Sequence, residues 1–489
     1  MPGPAGSSET VRTFVFNGWA ARSEIWDRCT FRPDRVFSYL DHLSGESLRA
    51  VAAEKAVVLV GFSMGGSFVM EALLRYPEKI RGVVFVSSTP KMSEAKDEGW
   101  AGMSPRRRQA LRLGTLMTNP DDPSPIFSEA NLDAGLDFLA TSDLRSGLEA
   151  VAGRTRFPVA IFQSRRDGIV RPANAEFLNR IFPQAALTWV EGADHDLPTK
   201  IPDLISSAVA GIRRCAAKLP RGLIEVSNVC RKNCLYCGIR RDAAEVPRYH
   251  LSVDEVLECA AEAVRRGYPA IALQAGEVEG EANTVFYEDV LRRLPEGLEV
   301  TLSLGEQSEA VYRRWRSAAG NRVLRYLLRI ETSDRGLYSR IHPADHSFDR
   351  RLDCIRTLRR LGYVTGSGVM IGLPGQSHED LERDLDWFVS ERLDMVGMGP
   401  YVPSANTPMG RLEVTGAERR LAETLWMIRE TRRRMPEINI VAATALEVLA
   451  PDGRALGFAN GANVYMPNLT PAVHRRNYVL YPGKNEAVS

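Results

Sequence analysis

A long alternation between short apolar strands and helical stretches constrains this fold most. In the first part of the chain the strand segments are TFVFNGW (13–19), AVVLVGF (56–62), GVVFVSS (82–88), PVAIFQS (158–164) and ALTWVEG (186–192). This rhythm predicts an α/β fold with a doubly wound parallel sheet. A helical stretch over 202–218 ends this part, and LPRG (219–222) is predicted to be a linker because proline cannot continue a helix.

New strands alternate with helices beyond this point. They are LIEVSN (223–228), AIALQAG (270–276), VTLSLG (300–305), YLLRIET (326–332), GSGVMIGLPG (366–375), MVGMGPYVP (395–403) and INIVAATA (438–445). Their number and spacing predict a full or partial (β/α) barrel. Ser252 and Glu255 form a capping box, which predicts a helix beginning after Ser252. We therefore expect two domains, 1–218 and 219–489.

The composition is that of an ordinary globular enzyme. The 489 residues include 63 Lys+Arg against 61 Asp+Glu, and 44% of the residues are hydrophobic. This balance favours neither nucleic acid nor a membrane as partner. The longest apolar runs have strand length, and the N-terminus has no basic region followed by an apolar stretch, so we expect a cytoplasmic protein.

Three of the seven cysteines lie within eight residues, at Cys230, Cys234 and Cys237. Thiolates in this C-x3-C-x2-C spacing can bind three irons of a four-iron cluster and leave the fourth iron open to a small molecule. The alternatives are a structural zinc site, for which the nearest histidine in sequence is His250, a disulfide, or free core thiols. We favour the cluster because the loop follows the first barrel strand, at the end of the barrel where active sites lie.

The loop CRKNCLYCGIRR (230–241) resembles that of the radical S-adenosylmethionine (radical SAM) enzymes. The resemblance implies a 4Fe-4S cluster whose open iron chelates SAM, and a 5'-deoxyadenosyl radical formed after one electron is delivered. It also implies a small-molecule substrate and an electron donor of the flavodoxin or ferredoxin kind. Tyr236, between the second and third cysteines, is expected to shield the cluster from solvent or to be an ordinary loop aromatic.

Within that superfamily, residues 222–484 resemble the HydE maturases, with biotin synthase and methylornithine synthase as near relatives. The resemblance assigns cofactor binding to Gly276, Glu277, Arg329, Glu331 and Arg351. Glycine lets the backbone approach the methionine amine. Planar guanidinium groups suit its carboxylate. The alternative for each charged residue is a surface ion pair. Arg350 could also take the role assigned to the adjacent Arg351.

One feature separates the chain from biotin synthase. That enzyme takes sulfur from a second cluster held by cysteines on barrel strands, whereas Cys259 and Cys354 lie in predicted helices. We expect these two to be core thiols. Sulfur insertion is therefore difficult to assign to this barrel.

The segment GFSMGGS (61–67) is a G-x-S-x-G turn between a strand and a helix. Such a turn lifts the hydroxyl of Ser63 clear of the sheet. Asp167 and His195 follow the later strands in the order expected of a hydrolase triad, with the histidine as base and the aspartate as its orienting partner. We expect Asp194 and Asp196, which flank the histidine, to be bystanders.

Backbone N–H groups of Met64 and Trp19 are the predicted oxyanion donors. Residues 12–212 resemble the BioH esterases of the α/β-hydrolase family, which remove the methyl group from pimeloyl-carrier-protein ester. Asn17 departs from the commoner histidine before Gly-Trp. Residues 93–155 are expected to form a helical lid, on which SPRRRQALR (104–112) either meets an acidic acyl carrier protein or is a solvated charge run.

The sequence thus predicts a bifunctional enzyme, a serine carboxylester hydrolase followed by a radical SAM barrel. Biotin synthesis is the leading expectation for a shared pathway. One alternative is a HydE-like maturase with an accessory esterase, and another is a hydrolase half that only docks an acyl carrier.

Overall fold

The computed structural model describes residues 11–19, 21, 23–91, 134, 138, 142–155 and 157–484. They form two compact units: one is built from residues up to Ala217, and the other from Lys218 onward, with Phe458–Gly461 grouping with the first. Among the described residues, no helix is long and apolar enough to cross a membrane.

The first unit is a six-stranded sheet in the order β2-β1-β3-β4-β5-β6, in which every neighbouring pair is parallel. The strands are β1 Arg12–Phe16, β2 Arg35–Phe37, β3 Val57–Phe62, β4 Ile80–Val86, β5 Val159–Ser164 and β6 Ala185–Val190. The helices are α1 Tyr39–Leu43, α2 Glu46–Ala53, α3 Met64–Arg75, α4 Arg145–Ala152, α5 Pro172–Ile181, α6 Leu197–Lys200 and α7 Pro202–Ala216.

Both faces of this sheet are buried. Val57 and Leu59 of β3 belong to one apolar cluster, whereas Val58 and Val60 belong to another. Successive side chains of a strand point to opposite faces, so these two clusters are the two layers between the sheet and its helices. The predicted doubly wound parallel sheet is confirmed, and the short β2 is the strand that the sequence pattern missed.

The second unit is a closed parallel barrel. Its strands are β7 Leu219–Ser227, β8 Ala270–Ala275, β9 Glu299–Ser303, β10 Leu324–Leu327, β11 Val364–Ser367, β12 Met370–Ile371, β13 Met395–Pro400, β14 Asn439–Ala442 and β15 Val464–Tyr465. β7 pairs with β8 on one side and β15 on the other, and β11 pairs with β13 to close the ring. The short β12 lies beside β13, so eight strands form the barrel wall.

Helices follow most of the barrel strands. They are α8 Val253–Arg265, α9 Glu281–Arg293, α10 Glu309–Ala318, α11 Arg335–Ile341, α12 Phe348–Arg360, α13 His378–Ser390, α14 Ala417–Arg434, α15 Ala445–Leu449, α16 Gly453–Ala459 and α17 Ala472–Arg475. The capping box predicted at Ser252 is present, since its side chain accepts from the N–H of Glu255 and the glutamate bonds back to the cap. The predicted (β/α) barrel is confirmed.

The predicted linker at 219–222 is wrong, because these residues begin β7. The N–H of Leu219 donates to the carbonyl of Asn463 at 2.7 Å, and Pro220 pairs with Tyr465 of β15. Proline is tolerated at the start of a strand, where one missing N–H costs little pairing. The sequence pattern hid this pairing because the partner strand is only two residues long.

A buried ion pair lies inside the barrel unit. The ammonium of Lys484 bonds the carboxylate of Glu225 on β7, whose second oxygen accepts from Asn468 at 3.0 Å. The Glu225 side chain is fully buried and that of Lys484 is 8% exposed. Removing one partner of such a pair leaves a buried charge without compensation, which is strongly destabilising.

We therefore expect Lys484→Met to lower the free energy of unfolding by about 3 kcal/mol, because Glu225 is left unpaired. The double variant Glu225→Gln/Lys484→Met should recover most of this loss, since the buried charge is gone. Urea unfolding followed by circular dichroism measures both. Equal destabilisation of the single and double variants would contradict the role given to the charge.

Candidate active sites

Ser63 lies in the tight turn between β3 and α3. Its backbone is left-handed, with φ of 55° and ψ of −122°, a conformation that side-chain-bearing residues rarely adopt. The flanking glycines make the turn possible, because a Cβ at Gly65 would lie 2.0 Å from the carbonyl oxygen of Phe16, and one at Gly61 would lie 2.7 Å from that of Gly65. The strained turn holds the serine at the carboxyl end of the sheet, as the G-x-S-x-G motif requires.

The structure brings the three predicted triad residues together. His195 Nε2 lies 2.8 Å from Ser63 Oγ, and His195 Nδ1 lies 2.9 Å from the nearer oxygen of Asp167. Burial would raise the pKa of Asp167, but the charge and hydrogen bond of His195, with the N–H groups of Val170 and Ile169, hold it below its ordinary value. The carboxylate therefore stays ionised and orients the imidazole toward the serine.

One predicted oxyanion donor, Met64, directly follows the serine, and the other, Trp19, follows a glycine that packs on the serine. Met64 is the first residue of α3, in the turn whose N–H groups have no intrahelical partner. Gly18, next to Trp19, packs on Ser63, since an added Cβ would lie 2.9 Å from Ser63 Cβ. Asn17 is buried and accepts from the indole N–H of Trp26 at 2.6 Å, so the asparagine fixes the turn that carries Trp19.

The aspartates beside His195 take no part in this arrangement. Asp194 is exposed, and Asp196 accepts from the hydroxyl of Thr199. Of the predicted lid, the structure describes helix α4, while the basic stretch 104–112 and its predicted contact with a carrier protein lie outside the described residues.

A cavity of about 350 Å³ opens inside the barrel, within the size range of small-molecule sites. All eight residues assigned to the cluster or the cosubstrate line it: Cys230, Cys234, Cys237, Gly276, Glu277, Arg329, Glu331 and Arg351. They come from four separate stretches of sequence. Each stretch follows a barrel strand or begins the next helix, so the barrel closure brings them together.

The turn after β8 packs directly on the cysteine loop. A Cβ at Gly276 would lie 2.2 Å from the carbonyl oxygen of Val229 and 2.7 Å from Cys230 Cβ, so only glycine fits there. The N–H of Glu277 donates to Cys230 Sγ at 3.3 Å, and the N–H of Arg231 donates to the Glu277 carbonyl at 2.8 Å. This close approach fixes the first thiol against the cavity wall.

Arg329 and Glu331 form a two-pronged ion pair. The guanidinium donates to both carboxylate oxygens, from Nε to Oε1 at 2.8 Å and from Nη2 to Oε2 at 2.8 Å. It also donates to the carbonyls of Gly397 and Val369. The expectation that both lie on one strand is wrong, because β10 ends at Leu327. Glu331 has a φ of 67° and forms an isolated parallel bridge with Val369, and its side chain lines the cavity.

Arg351 is buried and Arg350 is half exposed, which separates their roles. Arg351 Nε donates to Glu306 at 2.6 Å, and Arg351 Nη1 donates to the carbonyl of Arg329 at 2.6 Å. Glu306 also bonds Lys232 at 3.1 Å. Burial alone would raise the pKa of Glu306, but the charges of Arg351 and Lys232 lower it.

Sequence reasoning missed Glu306 and Lys232, although both carry a signal. Glu306 follows β9 at its carboxyl end, and Lys232 lies inside the cysteine loop. Both side chains are buried, and the lysine also lies 3.5 Å from Glu277. Lys232 thus connects the cysteine loop to Glu277 after β8 and to Glu306 after β9, and Arg351 bonds the same Glu306.

Tyr236 packs among Leu337, Ile341 and Leu373, and its hydroxyl lies 3.3 Å from His342 Nε2. Burial lowers the pKa of His342 to about 3, so the ring is neutral near neutral pH. Because its Nδ1 lies 2.9 Å from the carbonyl of Tyr338, that nitrogen carries the proton and Nε2 accepts from the tyrosine. Tyr236 is therefore a fixed wall of the cavity.

The remaining cysteines lie elsewhere. Cys259 is in α8 and Cys354 in α12, both buried, and neither lies on a barrel strand. Cys29 and Cys215 are buried in the first unit. The expectation of core thiols thus agrees with their burial.

The donor set of the cavity fits an iron-sulfur cluster. Within the described ranges, no group of three His, Cys, Asp or Glu side chains is placed to hold a single metal ion. Three thiolates can instead each bind a different iron of a cluster. Burial raises the pKa of all three thiols, for Cys234 to about 12, and bound iron would stabilise their deprotonated form.

Comparison with known proteins agrees with this geometry. A model of the radical SAM superfamily matches residues 224–388. The FeFe hydrogenase maturase subunit HydE of Thermotoga maritima is 45% identical over 264 residues, which are 54% of this chain and 74% of the relative. The chain belongs to the HydE-like radical SAM enzymes. Membership of the radical SAM superfamily implies a 4Fe-4S cluster and SAM, so these are the cofactors of this chain.

Other relatives of this HydE-like protein match one half each. Biotin synthase of Anaeromyxobacter dehalogenans is 30% identical over 220 residues, 44% of this chain and 57% of the relative. A model of the alpha/beta hydrolase fold matches residues 1–120. The pimeloyl-acyl-carrier-protein methyl ester esterase of Klebsiella pneumoniae is 24% identical over 226 residues, 37% of this chain and 85% of the relative. The chain therefore joins an esterase-like hydrolase to a radical SAM enzyme.

The two aspartates near His195 provide a matched test of the triad. Asp167→Asn should lower kcat for p-nitrophenyl acetate about 10⁴-fold, because the amide favours the wrong imidazole tautomer. Asp194→Asn changes an exposed carboxylate and should leave the rate near wild type. Stopped-flow or steady-state absorbance gives both rates, and equal losses in the two variants would contradict the assignment.

The cysteines provide a second matched set. After anaerobic reconstitution, Cys230→Ala, Cys234→Ala and Cys237→Ala should each lose most of the iron, from about four atoms per chain, because one thiolate is missing. Cys259→Ala and Cys354→Ala should keep it. Iron and sulfide analysis with absorption spectroscopy measures this, and full iron content in any of the first three variants would contradict the ligand set.

Proposed function

We propose that the chain is a bifunctional enzyme, a serine carboxylester hydrolase joined to a HydE-like radical SAM enzyme that acts on a small molecule. The observation that carries the proposal is the cavity in which three thiols face the residues assigned to SAM. The hydrogen-bonded Ser63, His195 and Asp167 support the hydrolase activity.

In the hydrolase half, Ser63 is the proposed nucleophile and His195 the base that accepts its proton. The 2.8 Å contact between Ser63 Oγ and His195 Nε2 is within hydrogen-bonding distance and supports this transfer. Asp167 stabilises the cation that forms on the imidazole. The N–H groups of Met64 and Trp19 would donate to the negative oxygen that develops on the ester carbonyl.

In the barrel half, Cys230, Cys234 and Cys237 would hold the cluster, which together with SAM supplies the 5'-deoxyadenosyl radical. Gly276 lets backbone approach the amino end of the cosubstrate. Arg329 and Arg351 offer the cationic surface for its carboxylate, and Glu331 accepts from its polar groups. The partly buried ring of Tyr236 would exclude water beside the cysteines.

A HydE-like reaction is favoured over sulfur insertion. The cysteines other than those of the loop lie on helices or in the first unit, so the barrel strands offer no thiols for a second, sacrificed cluster in the described part of the chain. The 45% identity to HydE over 74% of that relative supports the same choice.

Biotin synthesis is the second candidate pathway. The esterase relatives of the first half act on a pimeloyl ester by name, and biotin synthase is a relative of the second. A fusion raises the effective concentration of two activities in one pathway. A docking-only hydrolase half is the third candidate, and ester cleavage that depends on Asp167 would exclude it.

One anaerobic assay separates these pathways. The reconstituted chain is given SAM, dithionite and dethiobiotin, and 5'-deoxyadenosine and biotin are followed by mass spectrometry. We expect 5'-deoxyadenosine without biotin, because the described barrel strands carry no second set of thiols. Formation of biotin would move the assignment to biotin synthesis, and absence of SAM cleavage in a protein with a verified cluster would overturn the radical activity.

A further inference from the structure

The cavity wall contains a backbone conformation that must be held in place. Glu331 is left-handed, with a φ of 67°, yet it is neither glycine nor asparagine. Such a conformation is strained and persists where the surroundings over-determine it. The carboxylate of this residue lines the cavity and accepts hydrogen bonds from Arg329. The backbone geometry of Glu331 therefore sets the position of both charges.

Neighbouring strands hold one side of this residue. The N–H of Glu331 donates to the Gly368 carbonyl at 2.9 Å, and its own carbonyl accepts from the N–H of Met370 at 3.0 Å. The N–H of Ile330 donates to Ser367 Oγ at 3.1 Å. These bonds fix the chain as it enters the turn.

A buried carboxylate holds the other side. Asp384 lies on the inner face of α13, and its Oδ1 accepts from both the N–H and the hydroxyl of Ser333, each at 2.6 Å. Ser333 is two residues beyond Glu331. The turn is thereby fixed at its exit as well as at its entry.

The burial of Asp384 is costly. Its residue exposure is 0%, and its Oδ2 has no hydrogen-bond partner in the described part of the chain. A buried carboxylate with an unsatisfied oxygen destabilises the fold relative to an apolar or fully bonded residue. Packing alone does not explain an aspartate here, whereas two short bonds to one turn do.

We propose that Asp384 is a positioning residue of the cofactor site: through Ser333 it holds Glu331, and with it Arg329, in the orientation that faces SAM. This inference rests on the proposed role of Glu331 in SAM binding. Asp384 itself touches neither the cavity nor the cysteines. Its effect on the cosubstrate is therefore indirect, through the turn.

The protonation state of Asp384 gives the proposal a signature. Burial raises its pKa to about 7, and the charge of Asp380 adds to this, while the bonds from Ser333 and the charge of Arg383 oppose it. Arg383 also lies 3.9 Å from Asp334 in the turn. The ionised form accepts stronger hydrogen bonds, so the turn is held most firmly above about pH 7 and is loosened as the pH falls.

The test measures SAM binding to the reconstituted full chain by anaerobic calorimetry, at about pH 8 and about pH 6. Asp384→Asn keeps the size and one acceptor but cannot ionise. We expect it to raise the Kd for SAM about tenfold at the higher pH and little at the lower. The wild type should weaken as the pH falls. Asp386→Asn, an exposed position on the same helix, is the matched control and should follow the wild type.

Glu331→Gln separates the two levels of the proposal. If Glu331→Gln weakens SAM binding and Asp384→Asn matches the wild type at both pH values, the role of Asp384 is overturned. If Glu331→Gln binds SAM as the wild type does, the proposed role of Glu331 itself fails. Should Asp384→Asn not take up iron, Ser333→Ala decides: weaker SAM binding with full iron content supports the proposal, and unchanged binding overturns it.

Discussion

Parallel strands deliver every loop that follows them to the same end of a sheet or barrel, and both candidate sites depend on this constraint. In the first unit, Ser63 follows β3, Asp167 follows β5 and His195 follows β6. In the second, the cysteine loop follows β7, and the turn at Gly276 follows β8. The order of the parallel strands therefore brings together residues that lie far apart in sequence.

The two sites use this constraint with different chemistry. At the hydrolase site three side chains form one hydrogen-bonded line, and a strained turn presents Ser63. The barrel site must hold a charged cosubstrate, and its cations are already paired: Arg329 with Glu331, and Arg351 with Glu306. Pairing offsets the cost of burying each charge before a ligand arrives, and it fixes the side chains in one geometry.

Patterns with a fixed spacing made most of this predictable. The strand alternation predicted both folds, and the two motifs together with chain order predicted Ser63, Asp167, His195 and the cysteine loop. Contacts between distant segments escaped such reading: β15 is two residues long, Glu306 is a single acidic residue after a strand, and Asp384 lies in an ordinary amphipathic helix. The prediction of a linker at 219–222 was wrong for the same reason, since Pro220 is typical of a chain break until its partner strand β15 is known.

Backbone strain occurs at both candidate sites, and at one of them a contact that the sequence did not reveal maintains it. Two of the left-handed residues that are not glycine, Ser63 and Glu331, lie at the two sites, where geometry rather than composition decides activity. At Ser63 the neighbouring glycines permit the turn, and their positions are visible in the motif. At Glu331 no glycine signals the turn, because a buried carboxylate on the next layer of helices holds it. Local sequence therefore reveals strain when the cause is local, and it conceals strain when the cause is a tertiary contact.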